Sequence, residues 1–407
     1  MLRAMFLRAA IALAVVAGLA APAAAQHRES PLRSFARGQD YPVVELVTMG
    51  VGSLIWERHG HIALCVVYDD PSKDVCFNYG IGDFLHPIDM ALGFFRGQNS
   101  FWAGRMDPMD MLASYAYADR TIWVQPLPLT ATQKQAIIER LEHDILPDNR
   151  YYAYDHFWDN CTTRIRDIID HATDGALSKM IEPSDGKTYR DLAREGFIGM
   201  PSMSEVSLLI TDIAMGRVTD QVPTYYERMF LPQFLREAVA KRFGITPQPI
   251  YIRRECRGNS DPNCLERGVD VPDDGPSGRG WLALFALLFT APAWATRKWG
   301  RFQRTGLAFA VIPQWLLGVV LWGLAIISPL PYVHWNESCL VFLPLDLGLL
   351  FLRPAWRRKY ARARVVELAL CAVLLAIGVL KQPLWSALLW PLVPAAVVAF
   401  WPEQDKR

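Results

Sequence analysis

Tyr154-Asp155-His156-Phe157-Trp158-Asp159-Asn160-Cys161-Thr162-Thr163-Arg164-Ile165-Arg166-Asp167 is the stretch from which the rest of the chain is read. Asp159 or Asn160 is a good N-cap, and Ile165, Ile168, Ile169 and Ala172 follow at core spacing, so a helix is predicted from Asn160 to about Thr173. Cys161 then falls in the first helical turn. Unpaired N–H groups and the helix dipole favour an anion there, so a thiol of lowered pKa is expected. The same N–H groups suit an oxyanion formed when a thiolate attacks an ester or amide carbonyl. A buried structural cysteine fits this pattern too, so a reading as chemistry needs a base.

The base is sought where a histidine opens a strand. His59-Gly60-His61 precedes Ile62 to Tyr68, and alternation puts His61, Ala63, Cys65 and Val67 on one face. Gly60 to Tyr68 and Asp74 to Tyr79 are predicted to form a hairpin around Asp69-Asp70-Pro71-Ser72. Folding it about the Asp70-Pro71 centre sets Ala63 opposite Asn78, so Asn78 shares His61's face one pair away. A polar side chain there can orient the imidazole, the third role in a triad. Asp83 is the fallback orienter. His59 reads as a surface residue or as half of a His59-x-His61 metal pair. No nearby carboxylate or Cys completes a plausible ligand set, so neither a metal nor a cofactor enters the reading.

Outward from these motifs, residues 41 to about 250 mix short β-rich runs with helical patterns, as expected of an α+β domain. Val43 to Thr48 and Thr121 to Leu127 read as strands. Thr130 with Gln133 makes a capping box opening a helix to about Ile145. Further helices are expected near 204–215 and 225–242. Seven cysteines are present. Cys256 and Cys264 flank a polar loop and can close a small ring; Cys65 and Cys76, on neighbouring strands, are a second possible pair. Cys339 and Cys371 fall in apolar segments. Cys161 is then left as a reactive thiol or an intermolecular bridge.

Export and membrane anchoring are read separately. Arg3 and Arg8, the apolar run Ala9 to Leu19 and the small residues Ala23-Ala24-Ala25 predict a signal peptide over 1–25, with an uncleaved anchor as the other reading. A catalytic domain is expected over 26–250, a linker over 251–280 and a transmembrane domain over 281–407. Five apolar segments are read there: 281–296, 306–328, 339–352, 365–380 and 383–401. Arg297, Lys298, Arg301 and Arg304 lie between the first two, and Arg353, Arg357, Arg358, Lys359, Arg362 and Arg364 between the third and fourth. The alternate loops hold no basic residue or only Lys381. This alternation places 26–280 outside the cytoplasm and the C-terminus inside. Net charge is +1, which gives no overall basic bias toward nucleic acid. Asp346, in an apolar segment, is a functional candidate.

Gly60-His61-Ile62-Ala63-Leu64 followed much later by Asn160-Cys161 resembles the circularly permuted papain-like superfamily, which includes lecithin:retinol acyltransferase and NlpC-type relatives. Several features are more closely similar to the bacterial family with an Lnb periplasmic domain. These are Phe77-Asn78-Tyr79-Gly80 with Asp83-Phe84, Phe94-Phe95-Arg96-Gly97, and Tyr154-Asp155 leading to Asp159-Asn160-Cys161-Thr162-Thr163-Arg164. The likeness covers about 43–175. It implies a Cys161/His61 pair on a permuted papain-like domain, and the membrane half matches in layout. Asn78, from the hairpin register, and Asn160, from the helix start, complete the candidate catalytic residues, with about five spans following.

The activity implied is acyl transfer from a phospholipid through a Cys161 thioester to the α-amino group of a lipoprotein, at a bacterial inner membrane with the catalytic domain in the periplasm. Leu85 to Met106, with Leu92, Phe94, Phe95, Phe101 and Trp102 among Arg96 and Arg105, reads as an interfacial segment or as domain core. Arg164 and Arg166 read as a solvated face, an internal ion pair or phosphate ligands. Two other functions share the features: a cell-wall peptidase or amidase on the same Cys-His scaffold, and a membrane receptor that binds lipid or peptide without chemistry.

Overall fold

The hairpin that carries His61 organises the domain. In the computed structural model, which describes residues 29–183, 185–199, 204–269, 271 and 278–401, strand β2 (His61–Val67) pairs antiparallel with β3 (Val75–Ile81), and Ala63 lies opposite Asn78. The turn chemistry explains the register: Asp70 accepts the Ser72 amide at 3.0 Å, and Pro71 opens a single 3-10 turn. Cys65 and Cys76 are directly opposite and form a disulfide; Cys256 and Cys264 form a second, leaving Cys161, Cys339 and Cys371 as free thiols.

Seven antiparallel strands complete the sheet in the order β6 (Tyr151–Tyr152), β4 (Phe101–Met106), β3, β2, β1 (Val43–Met49), β5 (Ile122–Pro126), β7 (Gln248–Tyr251). β1 is buried along its whole length, because both faces of the sheet are covered. On one face Val44, Leu46, Ile62, Leu64, Val66, Phe77 and Tyr79 meet the apolar stripes of helices at Ala131–Asp144, Cys161–Ala172 and Pro232–Phe243. On the other, Val43, Val47, Ala63 and Val124 meet Met111 and Leu112 of the helix Pro108–Tyr117. Each fully buried Leu or Ile here contributes roughly 2–3 kcal/mol. The Thr130–Gln133 capping box is present. The helix expected over 225–242 is two pieces, Tyr225–Arg228 and Pro232–Phe243, because Pro232 starts a new first turn and cannot continue the old one. The described part of 251–280 is more structured than linker chemistry suggests. Its helix Pro262–Arg267 is tied down by the second disulfide and by Glu266, which pairs with Arg236 at 2.7 Å.

Glu45 departs from the apolar pattern of β1. It is fully buried, neither carboxyl oxygen has a partner among the described residues, and burial, with Asp74 nearby, pushes its pKa up to about 8. A folded-state pKa above the unfolded one means that the unfolded chain ionises first as pH rises. Glu45 therefore removes stability progressively between about pH 4.5 and pH 8. Glu45→Gln is expected to flatten that decline, so its melting-temperature advantage over wild type grows from pH 5 to pH 8. An advantage independent of pH would show the carboxyl to be solvated.

Helices at Tyr189–Phe197 and Ser204–Ala214 lead out of the sheet domain to a second, helical body beginning at Arg279. Its long helices are Arg279–Trp299, Gln303–Ile327, Pro354–Ala376 and Trp385–Phe400. One of them, Gln303–Ile327, is long and apolar enough to cross a membrane, with mean hydropathy 2.1. The expected continuous segment 339–352 is broken into short turns, Ser338–Val341, Pro344–Leu347 and Gly348–Phe351, because Pro344 and Gly348 interrupt it. It still runs the length of the body. Val341 and Phe342 pack with Leu282 and Leu384 at the end next to the sheet domain, and Leu349 packs with Leu307, Ala361 and Val398 at the far end. Gly318 admits it: a Cβ there would lie 2.7 Å from the Phe342 carbonyl oxygen. Arg364 donates to the Leu340 and Val341 carbonyls freed by the break and pairs with Asp346, which also accepts from Tyr360. A buried break in a helix needs such a donor.

The two bodies are clasped by buried polar groups. Gln382 donates to the Asp212 carbonyl at 2.8 Å and to Ser338, Asn336 donates to the Ile213 carbonyl at 2.9 Å, and Arg279 pairs with Asp212 at 3.1 Å. Large apolar side chains cover the outside of the helical body, among them Leu287, Leu288, Phe309, Leu316, Val320 and Val366. Exposed tryptophans mark both ends: Trp281, Trp335 and Trp385 near the sheet domain, and Trp299 and Trp356 at the far end.

Candidate active site

Asn160 builds the site from below. Its side-chain oxygen accepts from the Thr162 and Thr163 amides at 2.8 and 2.9 Å, and Thr163 returns the bond through its hydroxyl. The Asn160 amide group donates to the His156 and Phe230 carbonyls. Asn160 is therefore the N-cap, and its ties to neighbouring segments fix where the helix Cys161–Ala172 starts. Asp159 instead holds Arg164 in a bidentate pair at 2.6 and 2.8 Å, with the guanidinium stacked on Tyr152 at 3.6 Å. Arg166 pairs with Asp167. Both arginines are thus ion-paired within the domain.

Cys161 lies where β2 and β3 part. Their ladder ends at Ala63–Asn78, and β3 is irregular between Asn78 and Ile81. Just past the ladder, Cys161 packs in one buried cluster with Ile62, the residue that follows His61. Gly80 lets it in: this residue has φ of +77°, and a Cβ there would meet Tyr154 at 3.2 Å and the Cys161 Cβ at 3.5 Å. The thiol is only 8% exposed.

Its acidity differs from the expectation. Burial raises the pKa, and this outweighs the hydrogen bonds from Thr162 and from the amides of Thr162, Cys161 and Ile62 that favour the thiolate. The helix start lowers the cost of a thiolate without making it the resting form. Depth of burial depends on tertiary packing, which the position in the first turn does not reveal.

His61 is bonded through Nε2 to the Asn78 side-chain oxygen at 3.1 Å, and the Asn78 amide nitrogen donates to the Met111 sulfur at 3.6 Å. With Asn78 presenting its oxygen, Nε2 carries the hydrogen and Nδ1 keeps the basic lone pair. Asp83 is exposed and bonds His86 at 2.7 Å, so it is not the partner of His61. Tyr115 stacks on the imidazole at 5.8 Å, and Arg120 lies over the Tyr115 ring at 4.8 Å. Burial, then the Arg120 charge, lower the His61 pKa to about 4 despite the Asn78 bond. His61 is thus held as the neutral imidazole at pH 7.

His59 is not a surface residue. It points Nε2 at the Ala193 carbonyl at 3.0 Å and packs edge-on against His156 and Phe197. His59 and His61 therefore serve different neighbours.

Sequence reasoning missed Tyr115 and Arg120. Arg120 is 4% exposed, donates to the Gly50 carbonyl at 2.8 Å, and faces Glu57 at 3.8 Å. A lone Arg before a strand carries no local signal for this; only the β1–β5 pairing brings it beside β2. Tyr152, buried, and Tyr154, half-buried, are two further phenols that meet Cys161 around Gly80.

Chemically, a thiol, a neutral imidazole and amide donors at a helix start are the kinds of group that acyl transfer through a thioester uses. Residues 34–195 match the family described as the Lnb N-terminal periplasmic domain. No curated protein and no solved structure matches the chain.

Proposed function

Because residues 34–195 belong to the Lnb N-terminal periplasmic domain family, we propose that the chain is a membrane-anchored thiol acyltransferase acting on lipoproteins. The observation that supports this is Cys161 at the start of its helix, seated over Gly80 of β3, with His61 on the neighbouring strand β2 bonded to Asn78. In this reading residues 26–250 are a periplasmic, permuted papain-like catalytic domain that follows a signal peptide over 1–25. Residues 251–280 connect it to a bundle of about five inner-membrane passes over 281–407, the third of them broken. The apolar outer surface of the helical body and the tryptophans at its two ends support a lipid environment.

The reaction runs in two halves. His61 Nδ1 takes the Cys161 proton as sulfur attacks the ester carbonyl of a phospholipid. The ester C–O bond breaks, the proton passes to the departing alkoxide, and lysophospholipid leaves. The α-amino group of a lipoprotein cysteine then attacks the thioester, an amide bond forms, and the C–S bond breaks. His61 carries a proton from the amine back to sulfur. The Cys161 amide at the helix start is the oxyanion donor. No metal or cofactor is needed for either half.

The test is intact-mass analysis of the full chain incubated with phospholipid and no acceptor. The expected result is one acyl adduct, on Cys161, labile to hydroxylamine. Absence of an adduct together with release of cell-wall peptides would replace transfer by hydrolysis.

A further inference from the structure

The segment between β3 and β4 has two unlike sides. Its helix, α1 (Pro87–Phe95), turns Phe94 and Phe95 inward to pack with Leu324, Leu330, Tyr332 and Val333 at the near end of the helical body. Gly97, just past the helix, abuts Pro329: a Cβ there would lie 2.4 Å from that ring. The outward side is apolar and uncovered. Leu85 is 88% exposed and Ile88 75% exposed, Leu92 is also exposed, and a second loop adds Trp56, stacked on Phe84 at 5.3 Å. Arg96, at the C-cap of α1, is exposed with no acidic partner among the described residues.

The inward side leads to the thiol. Met90 and Phe101 both line Gly82, at 3.2 and 3.1 Å from where a Cβ would lie. Phe101 packs on Tyr154 with ring centres 4.6 Å apart, and Phe94 lies 6.3 Å from the same ring. Tyr154 and Cys161 meet over Gly80. A chain of packed apolar contacts thus runs from α1 to Cys161.

We propose that α1, with Trp56 and Phe84, is seated in the lipid leaflet on the sheet-domain side, and that an acyl chain travels from it along Met90, Phe94, Phe101 and Tyr154 to Cys161. The occupant is lipid because α1 packs on the 330–333 end of the helical body, two residues before the exposed Trp335, and because the exposed Arg96 guanidinium on the same element suits a phosphate. The acyl-track half of the proposal rests on the acyltransferase reading; the leaflet contact does not.

The experiment uses the full chain in phosphatidylethanolamine nanodiscs. Ile88→Cys carrying an environment-sensitive fluorophore is expected to be quenched at least twofold by phospholipid brominated near the headgroup end of its chains. No quenching overturns the leaflet contact. Leu85→Glu with Ile88→Glu is expected to slow Cys161 acylation from bilayer phospholipid at least tenfold while leaving acylation by a water-soluble short-chain ester unchanged. Equal loss with both donors, or loss with neither, overturns the track. Wild type that takes an acyl group from neither donor overturns the acyltransferase reading and the track with it, whereas the quenching result stands by itself.

Discussion

Cys161→Ala is expected to abolish both the acyl adduct and turnover, with a loss on the order of 10³–10⁶-fold. The size follows from chemistry rather than packing: without the sulfur no thioester forms, and water-mediated transfer lacks the oriented nucleophile. The structural cost is small. Removing one buried sulfur costs about 1 kcal/mol, a melting shift of about 2–4 °C. Cys161 is free, so no disulfide is lost. Asn160 continues to cap the helix through contacts that do not involve the thiol. Measured turnover near wild type in a folded Cys161→Ala protein would end the thiol mechanism. Loss of activity together with unfolding is separated by the melting curve.

The second large effect is expected at His61. His61→Ala should cost roughly 10³-fold or more, since a neutral thiol then has no base to accept its proton. Wild type should show an unusual pH profile. His61 has its pKa lowered to about 4, and the Cys161 thiol is raised. Neutral thiol and neutral imidazole therefore coexist over a wide range, so kcat/KM should stay flat from about pH 5 upward and fall only on the acid side, near about pH 4. A preformed thiolate–imidazolium pair adds instead an alkaline limb, where the imidazolium loses its proton. Arg120→Met supplies the internal control. Removing that positive charge lets the imidazole protonate more readily, so the acid limb should move to higher pH with little change on the plateau. An acid limb that stays in place in this variant would show that burial alone sets the base.

Much of this site was legible because it is local. The Asp69–Ser72 turn sets the β2–β3 register, and with it the facing of His61, Asn78, Cys65 and Cys76. The helix start at Asn160 follows from a capping residue before an apolar stripe, as does the Thr130 box. What was not legible depends on distant chain. Tyr115 and Arg120 reach His61 only because the helix Pro108–Tyr117 packs under the sheet and β5 joins β1. The two-residue β6 and the edge strand β7, with Pro249 inside it, have too little pattern to be seen. The third apolar segment of the helical body has the composition of a helix, and its break is visible only in Pro344 and Gly348, residues that other helices tolerate. Thiol acidity went the other way from expectation because burial, a property of the whole fold, exceeded the effect of one helical turn.

In the polar clasp on residues 212–214, Gln382 and Asn336 grip the backbone carbonyls of Asp212 and Ile213, whereas Arg279 grips the Asp212 side chain. Two of the three ties are therefore indifferent to which side chains stand at those positions. A substitution such as Asp212→Asn weakens the ion pair but leaves both carbonyl acceptors in place, so the seam between the bodies tolerates sequence drift on the sheet-domain side better than at Gln382 or Asn336.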